Sequence, residues 1–110
     1  MDKKKILITG AAGFIGFHLC KKILETNEVI ANNPNYKLAE KLEVIGIDNL
    51  NDYYDVSLKN ARLEILKSKK DFTFKFGDIA DTVFVKTLFQ EYKFDYVVNL
   101  AAQAGVRYSL

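Results

Sequence analysis

The segment Thr9 to Gly16 reads TGAAGFIG, with Gly10, Gly13 and Gly16 three residues apart between an apolar run and an amphipathic one. The run before it, Lys5 to Thr9 (KILIT), is short and apolar, which suits a strand buried on both faces of a parallel sheet. After it, Phe14, Ile15, Phe17, Leu19, Cys20, Ile23 and Leu24 recur at helical spacing among Lys21, Lys22 and Glu25, predicting a helix from Phe14 to about Glu25. Gly10 allows a tight turn off the strand, and Gly16 lets helix and strand approach closely. Gly13 removes the side chain that would hold a diphosphate away from the backbone. The helix N-terminus then offers N–H groups and a partial positive charge to phosphates. A glycine turn without a ligand is the plain alternative, but strand, glycines and helix in this order favour a dinucleotide site. No Gly-Lys-Ser/Thr follows, which excludes the P-loop.

Working outward, the same beat repeats. Glu43 to Ile47 (EVIGI) predicts a second strand ending at Asp48, and Val56 to Lys70 a charged helix leaning on Leu58, Ala61, Ile65 and Leu66. Phe72 to Phe76 predicts a third strand, Asp81 an N-cap, and Val85, Leu88, Phe89 and Tyr92 the inner face of a third helix. Asp95 to Leu100 (DYVVNL) predicts a fourth strand before the small-residue loop Ala101 to Gly105. Alternating strands and helices imply an α/β, three-layer Rossmann-type fold. Its parallel sheet has about four strands in the order 3-2-1-4 with helices on both faces, the first part of a larger doubly wound sheet. All 110 residues fit one domain. Residues 27–42, rich in asparagine around the lone Pro34, are expected as a surface insertion.

Strand ends carry the candidate chemistry. Asp48 can accept hydrogen bonds from the hydroxyls of an adenosine ribose. A 2′-phosphate would set a dianion beside it, and no arginine follows in Asn49, Leu50 and Asn51, so NAD is favoured over NADP. An Asp that merely starts a turn is the alternative. Asp48 lies 32 residues after Gly16, where about twenty from the motif is usual, and the insertion accounts for the surplus. Asp78 and Ile79 can bond and cover an adenine, or Asp78 can serve the helix that follows. Ala101 and Ala102 are small enough for a ribose and diphosphate to pass, or for tight packing alone. Arg107 is either a fork for a substrate phosphate or carboxylate, or a solvated side chain. His18 and Cys20 read as structural residues within the first helix, and Tyr53 and Tyr54 either close over the adenosine or, the favoured reading, pack the start of the second helix.

Composition adds exclusions. A net charge of +2 with scattered lysines lacks the basic stripe that nucleic-acid binding needs, and no apolar run approaches a membrane span. Cys20 is the sole cysteine, so no intrachain disulfide can form and a reducing, cytoplasmic compartment is expected.

TGAAGFIG, IDNLNDYYD, GDIAD and NLAAQAGVRYS, in that order, resemble the nucleotide-sugar epimerases of the extended short-chain dehydrogenase/reductase family. The pair DNLNDYYD and AAQAGVRYS is most similar to the UDP-glucuronate 4-epimerase group. The resemblance covers nearly all of the chain except the asparagine-rich stretch. It implies diphosphate contacts from Gly10, Gly13, Phe14 and Ile15, and ribose contacts from Asp48, Asn49 and Asn51. It further implies adenine contacts from Asp78 and Ile79, and nicotinamide-side contacts from Leu100, Ala101, Ala102 and Gln103. The implied activity is epimerisation of a UDP-sugar through a transient 4-keto sugar, with NAD as cofactor, in a parent expected to be a homodimer. That family reacts through a tyrosine with a lysine four residues later, and no tyrosine here has one. The chain is therefore expected to be an inactive N-terminal portion, self-associating through the edge of the fourth strand at Val97 and Val98 or through uncovered helix faces. A 4,6-dehydratase portion, a stand-alone nucleotide-binding module and a methyltransferase-type domain stay open as alternatives.

Overall fold

The computed structural model describes residues 4–36, 41–50 and 56–100. Strands β1 (Lys4–Thr9), β2 (Leu42–Asp48), β3 (Phe72–Phe76) and β4 (Tyr96–Asn99) alternate with helices α1 (Phe14–Asn32), α2 (Val56–Lys67) and α3 (Thr82–Glu91). All pairings are parallel and the order is β3-β2-β1-β4, as the strand and helix alternation predicts. Side chains alternate across the sheet. Ile6, Ile8 and Val44 join Phe17, Cys20 and Leu24 of α1 and Leu66 of α2 on one face, while Leu7, Ile45 and Ile47 join Leu88 of α3 on the other. Both faces of β1 and β2 are therefore covered, and their burial explains why these strands read as continuous apolar runs. β4 is an edge of the described sheet, with Tyr96 and Val97 exposed.

All three helices differ from expectation. α1 runs on to Asn32 instead of ending near Glu25, so residues 27–32 of the expected insertion are helical; a 3-10 turn follows at Pro34–Tyr36, and Leu42 already belongs to β2. The buried stripe of α1 is Phe17, Cys20, Leu24 and Asn27, and its last member is polar, which hides the continuation from a count of apolar residues. Asn27 is buried because its amide serves as a backbone mimic: Nδ2 donates to the Leu42 carbonyl at 2.6 Å, and Oδ1 accepts from the Leu42 N–H at 3.0 Å. This clamp ties the start of β2 to α1. Asn27→Ala is expected to cost about 1–3 kcal/mol by leaving both groups of Leu42 without that partner, read as a lower urea midpoint at unchanged slope.

α2 ends at Lys67, and it buries Lys59, Leu63 and Leu66 where Leu58, Ala61, Ile65 and Leu66 were expected; Leu58 and Ile65 are exposed. The true inner stripe includes a charged residue, so apolar periodicity alone placed it wrongly. In α3, Leu88 is buried as expected, but Phe89 is exposed and Phe84 packs inward beside Ile79. A Cβ at Gly77 would fall 2.3 Å from the Phe84 ring, so this glycine makes room for that inward turn. Asp81 caps α3 as expected, accepting from the N–H groups of Val83 and Phe84. Cys20 is a buried free thiol, and desolvation pushes its pKa up to about 12, which marks it as a core residue without nucleophilic use. No described helix is long and apolar enough to cross a membrane.

Candidate functional site

The glycine turn leaves the C-terminal end of β1 and rides on the end of β2. Gly10 adopts φ 72°, and the N–H groups of Gly10 and Ala11 both donate to the Ile47 carbonyl, at 2.9 and 3.0 Å. The Gly13 N–H closes the turn by donating to the Gly10 carbonyl at 3.0 Å. A Cβ at Gly16 would lie 2.0 Å from the Gly10 oxygen, so the helix can sit this close to the turn only without a side chain there. A Cβ at Gly13 would stand 3.3 Å from the same oxygen, tight but not prohibitive, so the protein's own packing requires glycine less strictly at this position. Gly46, which sequence reading passed over, gives the turn its seat: a Cβ there would meet the Ala11 methyl at 2.7 Å.

α1 begins with Gly13 as its N-cap, with no side-chain cap and no acidic residue in its first turn. The N–H groups of that turn are thus offered outward with the positive end of the helix dipole. Phe14 and Ile15 flank this opening and are about two-thirds exposed. An uncapped helix start behind a glycine with no Cβ is a cradle that fits a phosphate, which is the test of whether these residues suit a dinucleotide.

Asp48 ends β2 on the same rim as Gly10 and Gly13 and is 6% exposed. Its Oδ2 accepts from the Ala12 N–H at 3.0 Å, and Oδ1 from the Leu50 N–H at 2.8 Å and Lys59 Nζ at 3.2 Å. The carboxylate therefore latches the glycine turn to β2, and among the described residues the acceptor capacity of a carboxylate leaves about one position, on Oδ2, for a further donor. Three residues along α2, Arg62 donates to the Ala12 carbonyl at 3.0 Å and places its guanidinium 5.9 Å from the Phe14 ring centre. Lys59 and Arg62 escaped the sequence reading; their spacing of three on a helix starting just beyond Asp48 was the available signal.

At the end of β3, Asp78 Oδ2 accepts from Asn49 Nδ2 at 3.2 Å, and Oδ1 accepts from the Ala80 N–H at 2.9 Å. Asp78 thus sits at the rim and ties it to the β2 end, while capping of α3 falls to Asp81. Ile79 is half-buried against the cluster around Leu88. Leu100 donates its N–H to Thr9 Oγ1 at 2.9 Å, and Thr9 Oγ1 is also bonded to Asn99 Oδ1, so the ends of β1 and β4 are joined where Ala101 follows. The structure brings together Gly10, Gly13, Gly16, Phe14, Ile15, Asp48, Asn49, Asp78, Ile79 and Leu100 along one end of the sheet. Asn51, Ala101, Ala102, Gln103 and Arg107 lie outside the described residues, as do Tyr53 and Tyr54.

The chain matches the family described as GDP-mannose 4,6 dehydratase over residues 7–110. It is 47% identical over 110 residues to an uncharacterized protein of Methanocaldococcus jannaschii, spanning 100% of this chain and 30% of that protein. It is 41% identical over 105 residues to UDP-glucuronate 4-epimerase 3 of Arabidopsis thaliana, spanning 96% of this chain and 21% of that one. The crystal structure of UDP-glucuronic acid 4-epimerase from Bacillus cereus, in complex with UDP-glucuronic acid and NAD, superposes with a TM-score of 0.67 at 36% identity. That superposition takes in 94% of this chain and 28% of the epimerase. The chain spans 30% or less of the length of these relatives. A match beginning inside β1 and running through the glycine turn, both acid-bearing strand ends and β4 leaves no described part of the rim outside it, and the chain belongs to the GDP-mannose 4,6 dehydratase family.

Proposed function

We propose that this chain is the NAD-binding portion of a nucleotide-sugar epimerase of the UDP-glucuronate 4-epimerase type, acting through a transient 4-keto sugar in the longer protein. The observation that carries the reading is the Asp48 carboxylate, buried and bonded to the Ala12 N–H in the middle of the glycine turn. One rim thereby holds an acceptor for ribose hydroxyls beside an uncapped helix start for the diphosphate. Support also comes from the Bacillus cereus epimerase, whose structure contains NAD and UDP-glucuronic acid.

In this reading Gly10, Gly13, Phe14, Ile15 and Gly16 hold the diphosphate, and Asp48, Asn49 and Asn51 the adenosine ribose. Asp78 and Ile79 hold the adenine, and Leu100, Ala101, Ala102 and Gln103 the nicotinamide side. Bound NAD would supply hydride acceptance and return. The chain's own residues bind and orient: backbone N–H groups face the diphosphate, and Asp48 fixes the ribose while keeping the turn in shape. Arg107 is the proposed contact to substrate. The UDP-sugar substrate, the homodimeric parent and a cytoplasmic setting belong to the same proposal. None of the six tyrosines has a lysine four positions on, so these 110 residues alone are expected to give no turnover of UDP-glucuronate.

The test is an NMR titration of the ¹⁵N-labelled chain with NAD up to millimolar concentration. Amide shifts are expected at Gly10, Gly13 to Gly16 and Asp48. Absence of shifts, or shifts at the opposite ends of the strands around Lys4 and Leu42, would overturn the reading.

A further inference from the structure

An acid at the end of the second strand discriminates between adenosine riboses in two ways: it accepts hydrogen bonds from hydroxyls, and its charge repels a 2′-phosphate. In this chain the two are separable. Lys59 Nζ lies 3.2 Å from Asp48 Oδ1, with the two side chains 10% and 4% exposed, and among the described residues this carboxylate is the ammonium's partner. A few ångströms away, where a ribose 2′ position would sit against Oδ2, such a pair presents a dipole in place of a net negative charge. Hydrogen-bond acceptance survives, because among the described residues Oδ2 is engaged by the Ala12 N–H alone. Burial strengthens the point, since little water reaches the pair to screen either charge. Arg62 adds a further cation on the same helix, held to the Ala12 carbonyl.

We propose that Lys59 is a specificity-determining residue of this site, which neutralises Asp48 and so leaves the choice between a 2′-hydroxyl and a 2′-phosphate to hydrogen bonding rather than to charge. The proposal rests on the dinucleotide reading above and deepens it. It also revises the electrostatic argument from Asn49, Leu50 and Asn51: the countercharge comes from the next helix and not from the residues directly after the acid.

The experiment compares NAD and NADP affinities by NMR titration for the unaltered chain, Lys59→Met, Lys59→Arg, Asp48→Asn and the double variant Asp48→Asn/Lys59→Met, each first shown to be folded by its amide dispersion. Lys59→Met, which leaves the acid's charge uncancelled, is expected to raise the preference for NAD by roughly ten-fold. Lys59→Arg keeps the charge and should keep the original ratio. Asp48→Asn leaves an unopposed cation and should move the ratio toward NADP, and the double variant, again without net charge, should return it near the original. If either single variant fails to fold, the other still reads the same quantity against the double variant or the unaltered chain. A ratio unchanged in Lys59→Met, or the same in Asp48→Asn and the double variant, would overturn the proposal while leaving NAD binding intact. No NAD-dependent shifts in the unaltered chain would remove the dinucleotide reading itself, and this inference with it.

Discussion

Gly16→Ala is expected to lower stability by more than about 4 kcal/mol, a large share of the total, while Gly13→Ala leaves it nearly unchanged. The added methyl at position 16 would stand 2.0 Å from the Gly10 oxygen, 2.8 Å from the Gly10 carbonyl carbon and 3.1 Å from Ala11 Cα, all backbone atoms. No rotamer change can clear them. Moving the turn would break the bonds from the Gly10 and Ala11 N–H groups to the Ile47 carbonyl, and moving the helix would unseat Phe17, Cys20 and Leu24 from the core. Either route costs more than about 4 kcal/mol, against a total stability of about 5–15 kcal/mol for domains of this kind. At position 13 the closest approach is 3.3 Å to a single atom, which a shift of a few tenths of an ångström relieves. Far-UV circular dichroism with urea titration separates the two. A Gly16→Ala chain that unfolds cooperatively at the same midpoint as the unaltered one would show that α1 and the turn are not locked together as described.

The contrast also explains what could be read from the residues in advance. Strand order, the glycine turn and the rim position of Asp48 follow from apolar runs, glycine spacing and the rule that open parallel sheets expose their strand ends to ligands. These signals are local or topological. The residues that escaped are those whose burial depends on a distant partner. Lys59 is charged yet buried because Asp48 meets it; Asn27 is polar yet buried because Leu42 does. Each displaced an expected apolar stripe, shortening the reading of α1 and rotating that of α2. Gly46 carried no turn signal at all, because it makes room for Ala11, thirty-five residues earlier. At the β4 edge Val97 is exposed, whereas Val98 is half-buried against the first core cluster.

Asp48→Ala is expected to be the second most damaging substitution, lowering stability by about 3–5 kcal/mol. Among the described residues three donors converge on this carboxylate, and truncation strands them all: the Ala12 and Leu50 N–H groups and the Lys59 ammonium. The ammonium dominates, since a buried charge without its partner costs several times a stranded amide. Adding Lys59→Met should therefore recover part of the loss, because an apolar side chain of similar length fills the space without needing a counterion. The recovery should be incomplete, as the two backbone N–H groups still lack an acceptor. Unfolding free energies from urea titration of the unaltered chain, the two single variants and the double variant form a cycle, with an expected coupling of about 0.5–3 kcal/mol. Strict additivity would mean that the 3.2 Å contact contributes nothing to the fold. In that event Asp48 would latch the glycine turn through its backbone partners alone.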